Sequence, residues 1–464
     1  MVTVGTPVLV GDKLVPMPVL GPGDRLVAVP RAGALLVIGS AALAAAAEAV
    51  GEAERAFAKL ADSPAESIDR FFTGFAERLA DDRIWAAVEE ANRLDVARAQ
   101  ARGRAIGRLR VSEKMRAAMI EGLSGWAASR SRIGEVIERR AGDGYRVERR
   151  RAPLGVIAFV FEGRPNVFAD GAGVVKSGNT CVMRIGGDAL DTALTIEERA
   201  LRPALSAAGL PEATVRLVRS RDHGAGQALF TLGAVRLAVA RGSGPTVALL
   251  GSIAEQHGIP VSLHGTGGAW MYVDETATPL QVKNAIHNSL DRKVCNTLNV
   301  LMIDRAAVAK LGPAVGEAMS RRGARVHACR GAEGLVAHVA IIDESELSHE
   351  WEWDDVPECS VVVARDREHA IGLVNQHSAH FVASILSNRV EAFEDFYRRV
   401  DAPYIGNAFT RWVDGQWAWS RPELGLTNWQ RGRLLGRSGF LSGDDIYTVR
   451  DVFIDETGEA GQAR

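Results

Sequence analysis

Cysteine is scarce: Cys181, Cys295, Cys329 and Cys359 are all that 464 residues contain, with no CxxC pair and no Cys/His cluster. That spacing argues against a disulfide framework and against a structural zinc site, and no metal is expected. Net charge is nearly absent at −2, so there is no electrostatic footprint for nucleic acid or an anionic membrane, and neither is an expected partner. The N-terminus lacks a basic segment leading into an apolar core, so no signal peptide is expected, and reduced thiols point to the cytoplasm. Only Gly33–Val50 is apolar enough to raise the question of a membrane helix. It is rich in alanine and breaks at Gly39-Ser40, where Ser40 can cap a following helix, so packing against a sheet is the better reading. A GxGxxG fingerprint, internal repeats and a low-complexity linker are also missing.

What is present is an ordinary globular composition, 47% hydrophobic and 24% charged, in a chain long enough for two or three domains. Met1–Arg31 reads as one or two edge strands or an extended arm. Ala41 to about Ala128 carries helical three- and four-residue spacing, with Ser63-Pro64 as a start signal. The Arg-rich run 91–110 within it reads as a solvated face and connector. Character changes at Gly144. Tyr145–Arg151 alternates as an exposed strand, and Gly155–Glu162 is a near-continuous apolar strand of the kind buried in a parallel sheet. Strands then alternate with helices in two blocks, the first ending at Val261–Leu263 and the second running from Val282 to about Val400. The expected fold class is α/β, with two doubly wound α/β domains. The expected division is 1–40 an extension, 41–262 a nucleotide-binding domain carrying a flap strand at 145–151, 263–430 a cysteine-bearing domain, and 431–464 an oligomerisation segment.

The chemistry centres on Val282–Ile303. A helix to about Leu290 gives way to a polar turn, then Cys295, then the apolar strand Leu298–Ile303. Lys293 and Arg292 would favour the thiolate, the nucleophilic form; the bland reading is a small buried apolar cysteine. Asn166, fixed beside Pro165 after the first buried strand, suits either an oxyanion donor or a helix cap. Arg184, Gly186 and Gly187 follow another strand, and Gly242-Ser243 precede the helix Thr246–His257. Both sets suit a nucleotide's ribose and phosphates, or plain strand-to-helix turns.

These stretches, with PLGVIAFVFEGRPNVFADGAGVVKSGNT, NAIHNSLDRKVCNT, the Tyr272-Val273-Asp274 strand end and YIGNAFTRWVDG, resemble the aldehyde dehydrogenase superfamily, specifically its γ-glutamyl phosphate reductase (glutamate-5-semialdehyde dehydrogenase) branch. The resemblance runs from roughly Ala41 to Asp451. It implies an aldehyde dehydrogenase-like fold with a small β-flap for oligomerisation, and a homodimer or homotetramer in which Tyr145–Arg151 and Ile446–Phe453 form that flap. It implies Cys295 as the nucleophile forming a thioacyl-enzyme, with Asn166 and the Cys295 N–H holding the oxyanion. Arg184 would contact the adenosine ribose, Gly242 and Ser243 the pyrophosphate, and Asp354 the nicotinamide ribose. Gly187 falls where NAD-preferring members often keep a Glu, and a cation without a nearby carboxylate favours NADPH over NADH.

The segment Val261–Gly265 holds no carboxylate where aldehyde-oxidising members keep their general base. Hydrolysis of a thioacyl-enzyme should therefore be slow, and the expected chemistry is reduction of an activated acid. His264 is either a substitute base or a packing residue. The expected substrate is an acyl phosphate like γ-glutamyl phosphate. Departures from the branch leave a second reading, an acyl-CoA or acyl-adenylate of an apolar or aromatic acid. Ala269-Trp270 stands where Cys-His is usual, and Trp351, Trp353, Trp412, Trp417, Trp419 and Trp429 supply aromatic walls, or merely a Trp-rich core. A catalytically silent nucleotide-binding paralogue is a third.

Overall fold

Val156–Phe161 shows why a parallel sheet forms: all six residues are apolar and buried, yet they serve two cores. Ile157, Phe159 and Phe161 face one, while Val156, Ala158 and Val160 face the other, as the two-residue period of a strand demands. The computed structural model describes residues 4–458 except 105, 108, 162, 164, 337 and 338. Between 414 and 442 it describes only 418, 419, 422 and the backbones of 426–427, 429–430, 433–434 and 440–441. The chain packs as two units, Met1–Gly265 with Arg421–Leu426 and Leu441–Arg464, and Thr266–Ser420 with Thr427–Phe440.

The first unit is built on a five-stranded parallel sheet ordered Val261–His264, Val235–Arg241, Val156–Phe161, Thr180–Arg184, Val215–Leu217. Helices Ala65–Ala80, Asp82–Ala101 and Glu113–Ala128 cover one face; Ser40–Leu60 and Gly244–Gln256 cover the other. The N-terminal stretch forms two antiparallel hairpins, Pro7–Val10 with Lys13–Pro16 and Arg25–Val29 with Ala34–Ile38. The second buries Val27, Val29 and Ile38.

Three local expectations need correcting. Ser40 is not the cap: Gly39 holds that position and the Ser40 N–H donates to Asp24 Oδ1 at 2.8 Å. The Arg-rich run is not wholly a solvated face, because Asn92 and Asp95 are buried in it, Asp95 accepting from the Thr192 N–H and hydroxyl. The helix expected over Ala189–Ala208 is interrupted by a π turn at Glu197–Leu201, which aims the fully buried Glu197 at Arg216 and Arg219. A separate three-stranded antiparallel sheet pairs Tyr145–Ala152 with both Val136–Ala141 and Thr448–Asp455.

The second unit repeats the plan with seven parallel strands, ordered Val339–Ile342, Arg325–Cys329, Glu358–Ala364, Leu298–Asp304, Ala269–Val273, Val382–Leu386, Tyr404–Gly406. Met271, Leu301 and Val361 belong to the core under helices Pro279–Ser289 and Val308–Arg322, while Trp270, Val300 and Val362 belong to the core on the other face. Both units are thus mixed α/β with doubly covered parallel sheets. Helix Pro279–Ser289 opens on a full capping box between Thr278 and Gln281, which fixes the chain ahead of the cysteine turn.

Candidate active site

In the first unit the order of the parallel strands reverses between Val156–Phe161 and Val235–Arg241. Ligands of open α/β sheets bind outside the carboxyl ends of strands at such a point. Gly163 and Asn166 follow the first of these strands, and Gly242 and Ser243 follow the second. Arg241 and Asp170 form an ion pair of 3.2 Å that ties the two segments together. A Cβ on Gly163 would stand 3.9 Å from the Cα of Gly186, so the turn after Thr180–Arg184 reaches the same edge. Asn166 sits in a short 3-10 turn between buried Pro165 and Val167, and its Oδ1 is buried with no partner among the described residues. One end of its carboxamide is therefore uncommitted. Glu162 and Arg164 lie outside the described residues.

Ser243 caps the helix Gly244–Gln256 without a side-chain cap bond, its hydroxyl donating to Thr246 Oγ1 instead. The first turn, in which Pro245 carries no N–H, can offer the N–H groups of Gly244 and Thr246 to an anion. A side chain at Gly187 would stand 2.9 Å from the Arg221 carbonyl oxygen, so no acid fits there without displacing backbone. These features fit a dinucleotide. Arg184 is placed differently from its expectation. It is 4% exposed, with its guanidinium turned toward the carbonyls of Arg221 and Asp222 at 3.4 and 3.3 Å. Burial lowers its pKa, against the opposing pull of Asp222 and Asp188. The premise of a cation without a nearby carboxylate is thus incorrect. Asp188, however, is itself paired with Arg104 at 2.7 Å and Arg102 at 3.7 Å.

In the second unit Cys295 occupies the turn between Ser289 and Leu298, partly exposed, while the other three cysteines are buried. Burial pushes the thiols of Cys181, Cys329 and Cys359 up, the last two to about 12. Cys295 packs on Ala269, Phe381, Val382, Tyr404 and Val413, together with Trp412. Its neighbour Asn296 is buried and donates to the Val413 carbonyl at 2.5 Å, while Thr410 Oγ1 donates to the Asn296 carbonyl at 2.7 Å.

One functional group escaped the sequence reading. Glu350 pairs with Lys293 at 2.8 Å, and its other oxygen accepts from the Gly267 N–H at 2.8 Å. Lys293 is therefore neutralised, and Arg292 is exposed; the expectation that both cations act freely on the thiol needs that correction. No sequence spacing signals a partner fifty-seven residues away. Asp354 lies exposed in the loop before Glu358. Of the tryptophans, Trp412 packs against the same apolar cluster as Cys295, Trp351 stacks on His327, and Trp419 is 61% exposed. Trp417 and the Trp429 side chain lie outside the described residues.

A profile of the aldehyde dehydrogenase family matches residues 32–348. A γ-glutamyl phosphate reductase from Anaeromyxobacter sp. (strain Fw109-5) is 31% identical over 393 residues, 82% of this chain and 89% of the relative. The crystal structure of γ-glutamyl phosphate reductase from Thermotoga maritima superposes with a TM-score of 0.81 at 26% identity, covering 89% of this chain and 99% of that one. An engineered glycolyl-CoA reductase with bound NADP+ shares the fold, with a TM-score of 0.62 at 16% identity over 89% and 97% of the two chains.

Proposed function

Because the chain belongs to the aldehyde dehydrogenase family, we propose that it reduces an acyl phosphate of the γ-glutamyl phosphate type to the aldehyde through a thioester on Cys295. The observation that carries this reading is the match to a γ-glutamyl phosphate reductase over most of both chains. The chain is an oxidoreductase, and its family works with a nicotinamide cofactor.

The Cys295 thiolate adds to the acyl carbon; the C–S bond forms, the C–O bond to phosphate breaks, and phosphate leaves with that electron pair. Two donors are assigned to the oxyanion, the Cys295 N–H and the Nδ2–H of Asn166. The cofactor supplies a hydride when bound. Gly242, Ser243 and the helix they precede would hold its pyrophosphate, the turn at Arg184, Gly186 and Gly187 its adenosine ribose, and Asp354 its nicotinamide ribose. After hydride addition the carbonyl re-forms, the C–S bond breaks, and Cys295 is released as thiolate. Glu350 does not replace the missing general base, since Lys293 and the Gly267 N–H occupy its two oxygens. NADPH is the proposed donor, because Gly187 leaves no room for the acid of NAD-preferring members and because Arg102 and Arg104 neutralise Asp188.

The second reading, an apolar or aromatic acyl-CoA or acyl-adenylate, draws on Phe381, Tyr404 and Trp412 around Cys295. Running the reaction backward separates them. Glutamate-5-semialdehyde with NADP+ should be oxidised only when phosphate is added; a requirement for CoA, with no response to phosphate, would overturn the acyl-phosphate proposal. The reading also includes a homo-oligomer in the cytoplasm, the second point drawing on four cysteines that form no disulfide. Among the described residues no helix is long and apolar enough to cross a membrane.

A further inference from the structure

The turn that carries Cys295 is held by a largely shielded charge pair. Lys293, two residues before the cysteine, is 8% exposed in its side chain and meets Glu350, 17% exposed, at 2.8 Å; Glu352 stands 3.7 Å away on the solvent side, 68% exposed. The second Glu350 oxygen accepts from the Gly267 N–H. Gly267 is pressed onto the cysteine itself, since a Cβ there would lie 2.7 Å from the Cys295 Cα and 2.9 Å from its Cβ. The adjoining Gly268 N–H donates to the Cys295 carbonyl at 2.7 Å. One carboxylate thus touches both the residue that leads into the nucleophile and the backbone on which the nucleophile rests.

Glu350 cannot swing away easily. Asn299, on the strand that leaves the cysteine turn, brackets it by donating to the His349 carbonyl at 2.8 Å and accepting from the Trp351 N–H at 3.0 Å. The Trp351 ring stacks on His327 with centroids 3.5 Å apart, and its indole N–H donates to Ser360 at 2.9 Å. A nearly buried lysine needs a counter-charge, and a lysine without one beside a cysteine favours the thiolate.

We propose that Glu350 is a positioning residue whose pairing with Lys293 sets how readily Cys295 ionises, by limiting how much of the lysine's charge reaches the sulfur. A thiol that ionises near the working pH combines nucleophilicity with a useful thiolate fraction. Among the described residues, the polar and charged groups around the turn include Glu352, exposed Arg292, Tyr404, and Arg411, which is held by Asp291 at 2.7 Å and by Asn296.

The proposal rests on Cys295 being the nucleophile. Its test is the pH dependence of iodoacetamide incorporation at Cys295, read by mass spectrometry on the full chain, for the parent protein, Glu350→Gln, Lys293→Met and the double variant. Glu350→Gln should move the midpoint to lower pH by about one unit and Lys293→Met to higher pH by a similar amount, with the double variant between them. Should Glu350→Gln fail to fold, Lys293→Met compared with the double variant still isolates the carboxylate's charge. Midpoints that stay put, or that move in the same direction in folded variants, overturn the role of Glu350 and leave a structural strap. Activity that survives Cys295→Ala would instead overturn the nucleophile reading.

Discussion

Cys295 differs from the other cysteines in surroundings rather than in kind. Cys181 and Cys359 are enclosed, and burial raises their thiols; Cys329 is raised by burial and then by Glu344, Asp343 and Glu346. At pH 8 the thiolate fraction of those three is negligible. One equivalent of iodoacetamide should label Cys295 almost alone, and Cys295→Ala should abolish labelling and lower the reductase rate by at least about 10³-fold. Asn166→Ala tests the oxyanion assignment separately. Loss of one oxyanion donor costs about 10²–10³ in kcat with little change in KM, whereas a residue serving only as a turn former would lower the melting temperature and leave kcat in place. The turn that carries Cys295 was legible because a polar stretch before a buried strand is a local pattern, while the cysteine's expected role as nucleophile came from the family resemblance. Glu350 was not, because it reaches Gly267 and Lys293 through the fold of the second unit and no local pattern announces it.

At the scale of elements, the strands of the two sheets were legible wherever the apolar run was continuous, as in Val156–Phe161 and Leu298–Asp304. The π turn at Glu197–Leu201 was not, since it exists to deliver Glu197 to arginines on a neighbouring segment. Strand Ala269–Val273 showed only its end, at Tyr272–Asp274. That end is an energetic hub. Asp274, 1% exposed, accepts from the Thr276 N–H and hydroxyl, from Ser387 and from Arg389 at 2.7 Å, while its own N–H donates to the Leu386 carbonyl. Burial opposes its ionisation, yet the Thr276 and Arg389 contacts outweigh burial and hold the carboxyl below its ordinary value. A depressed folded-state pKa contributes stability that is present above the unfolded value of about 3.9 and is lost as pH falls through the lower folded value. Asp274→Asn should therefore cost about 2–3 kcal/mol at pH 7, with the difference from the parent shrinking as the pH is lowered below about 4. Urea titrations of both proteins at pH 7 and pH 3.5 measure this; an equal gap at the two pH values would show that Asp274 acts through shape and not charge.

At the scale of the whole molecule, the three-stranded sheet of Val136–Ala141, Tyr145–Ala152 and Thr448–Asp455 raises the question of what covers it. Val136, Ile137, Val449 and Phe453 are exposed on it, Phe453 at 58%, although Phe453 stacks on Tyr145. Apolar side chains along outer strands invite pairing with another chain. Most charges across this sheet are matched within it: Glu148, 2% exposed in its side chain, serves Arg139, Arg146 and Arg150, and Arg149 joins Glu138 to Asp451, while Arg140 and Arg450 are exposed. An ionic surface satisfied internally over most of its length leaves apolar contact and strand edges as the main means of association. A second copy of this chain presents the same edge, which is how closed symmetric assemblies arise. The protein should elute and scatter light as a dimer or tetramer. Phe453→Glu together with Val449→Lys should shift it toward monomer with little effect on the melting transition of the remaining fold, because both side chains are exposed within one chain. High salt should leave the parent oligomer intact, since no exposed ion pair is needed to hold it. A parent protein that is monomeric at micromolar concentration would remove this sheet from any role in assembly.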